Sequence, residues 1–458
     1  MSISSKTKLD KAQLQQMGKD SMWLGFGRDS SFFDRDASIV VSGDGCWVTD
    51  IDSHRFLDSS ACLGAAVLGY NNPKVIKALV EQAQIMCSNA SGQPATIPSI
   101  QLAHKVATLG MGEKSKLFYA LSGSGAVDTA LKMARQYWKI VGKSGKFKTI
   151  TRWGGYHGAT LTGTAASGIP SRRKGFEPLS DAFIHIEPPY CYRCPWALTY
   201  PQCGTECANE FRRTVEREDP STIACYLGEL TLGAGGIIPP PPEYPKLIRQ
   251  ICTENNILMI VDEVITGFGR TGTWFEWQQF GIVPDMVIMA KGISGGYVPV
   301  SAVQVKPEIA DVFKGPNVFM HGYTLGSFPL GCAVGLAVIE VMEEMNILAE
   351  VNRKGKLMKS LLEKVKDSSP IVGDVRGKGL ALTIELVKDK KTRAELPDMA
   401  AMRQLVSSVG RKNGVFLAMS PYSGSFMFLT PLVINEEEIG ILIKAVAAAV
   451  KEVESKCL

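Results

Sequence analysis

Two residues of this chain stand out for chemistry, Asp262 and Lys291, 29 positions apart, each closing a short apolar run. Ile257–Val261 ends on the adjacent carboxylates Asp262 and Glu263, and Met286–Ala290 ends on Lys291. Runs of this kind read as buried strands of a parallel sheet, whose C-terminal edge is where ligands bind in open α/β folds. An acid and a lysine at nearby strand ends suit pyridoxal phosphate (PLP). The lysine would form the Schiff base, and the carboxylate would hold the pyridinium nitrogen protonated. Singly, Lys291 reads as a solvated strand-end lysine and Asp262–Glu263 as a turn. Together they carry the chemical reading, which requires a lysine desolvated enough for its neutral form to be accessible.

Other residues add to this pair. Ser122-Gly123-Ser124 sits where a strand passes into a helix. Backbone N–H groups and the positive end of the helix dipole make an anion site there, although the same residues serve as an ordinary N-cap. Tyr156, in Tyr156-His157-Gly158, follows another strand end and offers a ring to stack on a planar cofactor. Gly267-Phe-Gly-Arg-Thr-Gly272 fits the dinucleotide pattern G-x-G-x-x-G, but Trp274, Phe275 and Trp277 follow instead of a clean helix, so it reads as a decoy. Cys191, Cys194, Cys203 and Cys207 form a separate cluster of four thiols in irregular, Pro- and Tyr-rich sequence. An Fe–S cluster or an all-cysteine zinc site of structural character is the expectation there, with free or paired cysteines the alternative.

The elements that must position these groups follow an α/β pattern. Strands at 116–120, 147–152, 222–228, 257–261, 285–290 and 301–305 alternate with helices at 126–141 and about 244–255, which indicates a largely parallel sheet. Ahead of them, 37–41, 46–50 and 55–58 read as short strands. Beyond Thr324 the pattern changes to helices at about 329–345, 349–367, 398–412 and 436–454 with strands at 380–387, 415–418 and 426–430. The expected organisation is a large domain over 61–325, carrying the Cys-rich loop 187–210. A smaller α+β domain covers 326–458, joined by the N-terminal segment 1–60.

Composition bounds the function classes. The 458 residues are 45% hydrophobic and 21% charged, with net charge +5. That is ordinary for a soluble globular protein and argues against nucleic-acid or membrane partners. No apolar run long enough for a membrane span and no secretory signal pattern is seen, so the cytoplasm is expected. Eleven cysteines, dispersed except for the one cluster, do not make a secreted disulfide framework.

The run Met259-Ile-Val-Asp262-Glu263-Val-Ile-Thr-Gly-Phe-Gly-Arg270-Thr-Gly272, followed by Pro284-Asp285 and Ala-Lys291-Gly-Ile-Ser-Gly-Gly296-Tyr297-Val-Pro299, closely resembles the signature of class III (ω-type) aminotransferases. The likeness extends to Gly69-Tyr70, Gly233-Ala-Gly-Gly236, His321-Gly-Tyr-Thr324, Arg376-Gly-Lys-Gly379 and Thr430-Pro-Leu432. It implies the fold-type I architecture of PLP-dependent transferases and a homodimer, or higher assembly, with sites at the subunit interface. By position, Lys291 would be the Schiff-base lysine and general acid/base, and Asp262 the partner of the pyridinium nitrogen. Val264 would pack under the ring and Tyr156 over it. Gly123 and Ser124 would bind the phosphate, with Thr324 reaching it from the partner subunit, and Glu229 would lie near the cofactor hydroxyl. Trp23, Leu63 and Met419 are the substrate-side expectations.

The chain also departs from the family pattern. Gly125 stands where the family has Glu, Glu229-Leu-Thr-Leu232 replaces Glu-Pro-x-Gln, and Gly326-Ser327-Phe328 replaces Ser-Gly-His. No arginine for a substrate carboxylate occurs in residues 414–421 or 426–430. The leading reading is an aminotransferase moving an amino group from an amine or ω-amino compound to a keto acid or aldehyde. A racemase, epimerase or aminomutase would share every cofactor residue. More distant readings are a metal- or Fe–S-binding regulatory protein on a vestigial PLP fold, and a nicotinamide dehydrogenase.

Overall fold

A computed structural model describes residues 10–26, 28–35, 39–90, 92–420 and 422–457. The first strands, β1 (Val40–Asp44), β2 (Trp47–Asp50) and β3 (Arg55–Asp58), form an antiparallel meander. The predicted start at 37 falls outside the described residues, as do residues 1–9 of the polar lead-in; Lys11–Ser21 is a helix. Seven strands then build the main sheet: β4 (Lys116–Ala120), β5 (Lys148–Arg152), β6 (Phe183–Ile186), β7 (Ile223–Gly228), β8 (Leu258–Asp262), β9 (Met286–Met289) and β10 (Ser301–Val305). Their spatial order is β4-β10-β9-β8-β7-β5-β6. Strands β6, β5, β7, β8 and β9 are parallel, and β10 runs antiparallel between β9 and β4.

Burial explains why the central strands read as unbroken apolar runs. Every residue of β7, β8, β9 and β10 is buried, because helices cover both faces of the sheet. Asp285 ties the N-terminal edge together. Its carboxylate accepts from Met259 N–H (2.7 Å) and pairs with Arg249 (2.6 Å) and Lys306 (2.9 Å). The chain visits β5 and β6 on one side of β7, then β8 and β9 on the other. This reversal opens a crevice at the C-terminal strand edge beside β5 and β7.

The C-terminal part carries β11 (Val372–Lys378), β12 (Ala381–Leu386), β13 (Val415–Phe416) and β14 (Ser425–Phe428), flanked by the helices Pro329–Glu344, Ile347–Asp367, Met399–Lys412 and Glu436–Cys457. Strand β13 leaves its neighbours and pairs in parallel with β3, joining the two ends of the chain. Among the described residues no helix is long and apolar enough to cross a membrane.

Candidate active site

The groups singled out from sequence meet at the C-terminal strand edge. A cavity of about 170 Å³ is lined by Gly123, Ser124, Tyr156, Glu229, Asp262, Val264 and Lys291, with His157 and Gly158 completing one wall. The loops after β4, β5, β7, β8 and β9 each supply at least one of these residues.

Asp262 is 3% exposed and held at both oxygens. Oδ1 accepts from Val264 N–H at 3.0 Å, and Oδ2 from His157 Nδ1 at 2.8 Å. Glu229 is similarly fixed, accepting from the N–H groups of Tyr156 (3.1 Å) and Gly233 (2.7 Å). Burial raises its carboxyl above the usual range. Lys291 has a left-handed backbone (φ +49°), an uncommon conformation for a side chain other than glycine, at the turn leaving β9. Its side chain keeps access to the cavity but sits deep among protein atoms. Burial lowers its amine to about 8, opposed by Glu229 and Asp262 and aided by Arg270. A neutral amine is therefore accessible near physiological pH.

The residues present fit PLP. The helix Gly123–Ile140 is capped by Ser122, whose Oγ accepts from Gly125 N–H at 3.0 Å. First-turn N–H groups have no intrahelical partners, so those of Gly123 and Ser124 remain for an anion. Ser124 Oγ accepts from Ala159 N–H at 2.9 Å. Gly158 (φ +116°) makes this close approach possible, since a Cβ there would lie 2.5 Å from that hydroxyl. Tyr156 and Val264 supply an aromatic and an apolar wall of the same cavity, and Asp262 supplies the acid.

Other expected residues fall elsewhere. Thr324 is exposed and does not line this cavity. Trp23 is 100% exposed, and Leu63 is exposed on a turn where Ala61, Cys62 and Leu63 are all left-handed. Neither is part of the cavity wall in its own chain. Met419 is buried in the main core, where its backbone bridges to Phe426. The Gly267–Gly272 stretch is closed to ligands by packing. A Cβ on Gly272 would meet Asn352 at 2.2 Å, and fully buried Arg270 donates to the carbonyls of Leu380 and Thr430.

Gly125 has a local explanation. Tyr323 Oη donates to Gly125 O at 2.8 Å, and a Cβ at 125 would lie 2.9 Å from that hydroxyl. The small residue lets the Thr324-bearing loop pack against the start of the helix.

His157 is the functional residue that sequence reasoning misses. It stands beside Tyr156, but no spacing rule connects it to Asp262, 105 positions away. Only the sheet order brings the two loops together.

The cysteine loop gives no support to an Fe–S or zinc centre. Cys191, Cys194, Cys203 and Cys207 line one small pocket with Trp196 and Tyr200. Yet the one set of three or more His, Cys, Asp or Glu donors that converges within 4.8 Å among the described residues is Asp50, Asp52 and His54. The four thiols are free. Side chains already anchor the loop: Tyr190 Oη donates to Glu385, and Arg193 Nε donates to the same carboxylate at 2.5 Å.

Sheet, cavity and donor set together define a fold-type I PLP-dependent transferase. The family model for class III aminotransferases matches residues 33–450, and the chain belongs to that family. A probable aminotransferase of Mycobacterium tuberculosis is 36% identical, the match covering 84% of this chain and 82% of the relative. A PLP-bound amine transaminase from an uncultivated Pseudomonas species superposes with TM-score 0.90 at 31% identity, covering 94% of this chain and 99% of the other. An (S)-enantioselective ω-transaminase from Thermomicrobium roseum gives TM-score 0.93 at 33% identity, covering 98% and 100%.

Proposed function

We propose that this PLP-dependent aminotransferase takes its amino group from a primary amine or ω-amino compound and passes it to a keto acid or aldehyde. The observation that carries the site assignment is the meeting of Lys291, Asp262 and the Gly123–Ser124 turn in one cavity. Bound there, PLP supplies an aldehyde for amines and a ring that withdraws electrons from the substrate carbon.

In this reading Lys291 would hold the cofactor through its amine and would carry a proton to and from the substrate carbon. Its lowered pKa suits both roles. Asp262, oriented by His157 and Val264 N–H, keeps the pyridine nitrogen protonated. Gly123 and Ser124 receive the phosphate. Tyr156 and Val264 would confine the ring, and Glu229 would lie near the cofactor hydroxyl.

We also read the enzyme as a homodimer in which Thr324 serves the partner's phosphate site. Its exposure supports this, as do the exposed apolar side chains Ile85, Ile97, Ile100, Val318 and Met320, which a second copy would cover. Residues 61–325 would form the cofactor domain, with 1–60 and 326–458 in the smaller one; the β3–β13 pairing supports that division. The free thiols fit a reducing compartment, in keeping with a cytoplasmic enzyme.

The test is a half-reaction. Purified holoenzyme given an amine without acceptor should lose the visible band of its lysine-bound cofactor, accumulate the pyridoxamine form and release the carbonyl product stoichiometrically. A protein that returns to its starting spectrum while inverting a chiral amine would be a racemase, and one that binds no PLP would defeat the site assignment.

A further inference from the structure

The helix Gly123–Ile140, whose first turn faces the cavity, meets a second partner along one stripe of its surface. Gly125, Thr129, Lys132 and Gln136 follow one another at spacings of four, three and four, so they share one face. Each of them touches the segment 318–323, which runs into Thr324. Tyr323 Oη donates to Gly125 O at 2.8 Å, and Gln136 Nε2 donates to Val318 O at 3.0 Å. Between them the half-buried ring of His321 meets Thr129 Oγ1 through Nε2 and Lys132 Nζ through Nδ1, each at 2.9 Å.

These bonds fix the protonation of His321. An ammonium only donates, so Lys132 requires a bare Nδ1. Thr129 Oγ1 gives its own hydrogen to Gly125 O at 2.7 Å and therefore accepts from Nε2–H. The imidazole fits as the neutral Nε2–H tautomer, and a protonated ring would turn a second donor toward the Lys132 ammonium. The helix presents two charged groups to the ring, Lys132 and Asp128, and the Asp128 carboxylate accepts from Thr160 at 3.1 Å. Strand β4 presents the Phe118 ring, stacked at 5.7 Å, and the segment itself presents Phe319 and Tyr323 edge-on. Burial and then Lys132 hold the imidazole below its ordinary value, with Asp128 opposing them.

We propose that His321 is a positioning residue for the phosphate end of the cofactor site: its neutral imidazole ties the Thr324 loop to the phosphate-binding helix, and its protonation releases that loop. The inference rests on the reading that Thr324 serves the partner's phosphate site. A released loop takes up a proton near the ordinary histidine value of about 6.5, whereas the docked loop resists it. Docking is therefore undiminished above about pH 6.5 and weakens as pH falls below it. Because each loop is tied to its own chain and serves the other, acid loosens both phosphate sites of the dimer.

The experiment follows PLP release from holoenzyme, by ultrafiltration and absorbance, at about pH 5.5 and about pH 8, on either side of the ordinary histidine value. It compares wild type with His321→Gln and Lys132→Met. Titration of the cofactor itself is common to all three, so the readout is each protein's ratio of release rates at the two pH values. The ratio for wild type should exceed that for His321→Gln about 10-fold, the scale of one charge-assisted hydrogen bond, because the amide gains no proton over this range. Lys132→Met, without the opposing ammonium, should fall between them. Equal ratios in wild type and His321→Gln overturn the proposal. If the glutamine variant retains no PLP, Lys132→Met decides, and a ratio as large as that of wild type overturns it. Thr324→Ala separates the inference from the reading beneath it, since it should release PLP faster than wild type at about pH 8. If it releases PLP no faster, the Thr324 reading fails and the His321 role with it; if it does and the ratios coincide, only the His321 role fails.

Discussion

His157 Nδ1 donates to Asp262 Oδ2 at 2.8 Å, and both side chains are almost wholly buried. In the proposed site this carboxylate would face a pyridinium and needs a fixed direction, which the imidazole supplies. Replacing Asp262 with Asn removes the anion and should lower kcat by more than about 100-fold, within the range for acid–base groups. His157→Gln keeps a donor but changes its reach, and should cost about 10-fold, the scale of one charge-assisted hydrogen bond. Steady-state rates with cofactor titration check the order. A His157 variant as impaired as Asp262→Asn would show that the imidazole does more than orient the acid.

Lys291 has its amine lowered to about 8 by burial, with Glu229 and Asp262 pulling it back up. Cofactor capture by apoenzyme requires the neutral amine. Its rate should rise with pH and level off a little above 8, well below the ordinary lysine value of about 10.4. Glu229→Gln removes a carboxylate that favours the charged amine, so the plateau should move to lower pH. Stopped-flow absorbance after PLP addition measures both, and Lys291→Ala should give no lysine-bound band at any pH.

Glu263 and Glu276 are both 0% exposed and accept hydrogen bonds from Thr266, Trp277 N–H and Thr231. Burial and the charge of Glu276 push Glu263 up to about 8 from 4.5. The folded chain thus binds a proton that the unfolded chain releases. The stabilisation is complete below about pH 4.5 and is lost as pH rises toward about 8. Thermal midpoints of wild type should fall over that window from this group, and Glu263→Gln should flatten the fall. Equal slopes would assign the pH dependence to other groups.

The site is largely legible in sequence because its parts sit at strand ends, and strand ends are marked by apolar runs stopping on polar residues. Asp262, Lys291 and the Ser122–Ser124 turn carry that mark. His157 does not, since its partner is set by the order β8-β7-β5, and sheet order is not written in local spacing. That Met419 lies in the core and off the cavity wall is not legible in sequence for a related reason: an apolar residue near a pattern gap looks the same whether it lines a pocket or packs a core. The antiparallel direction of β10 is hidden too, because a strand buried on both faces has no periodicity to reveal which way it runs.

Gly125 and Tyr323 offer a packing test of the Thr324 loop. Gly125→Ala places a methyl 2.9 Å from Tyr323 Oη, which should cost about 1–3 kcal/mol in stability as an overpacked contact. Tyr323→Phe removes the offending oxygen along with its hydrogen bond. The double variant should therefore be more stable than the two single losses sum to, a coupling that denaturant titration of all four proteins detects. Additive losses would mean that the loop relaxes freely around residue 125.

Glu385 should matter more to the cysteine loop than any single thiol. Its carboxylate is 0% exposed, accepts from Tyr190 and Arg193, and pairs with Arg376 at 2.7 Å. Arg376 in turn donates to Gly236 O (2.7 Å) and Ile237 O (3.0 Å), so the carboxylate links the loop to the Glu229–Gly236 turn beside the active site. Glu385→Gln removes the more buried of the two carboxylates on Arg376, leaving Asp374 at 3.0 Å, and should destabilise the fold by about 1–3 kcal/mol. Cys203→Ser, in a pocket without converged sulfurs, should change stability by less than about 1 kcal/mol, and purified protein should carry no stoichiometric iron or zinc. Metal analysis and unfolding curves decide between the two accounts. Stoichiometric metal, with Cys203→Ser unfolding the loop, would restore the metal centre as its organiser.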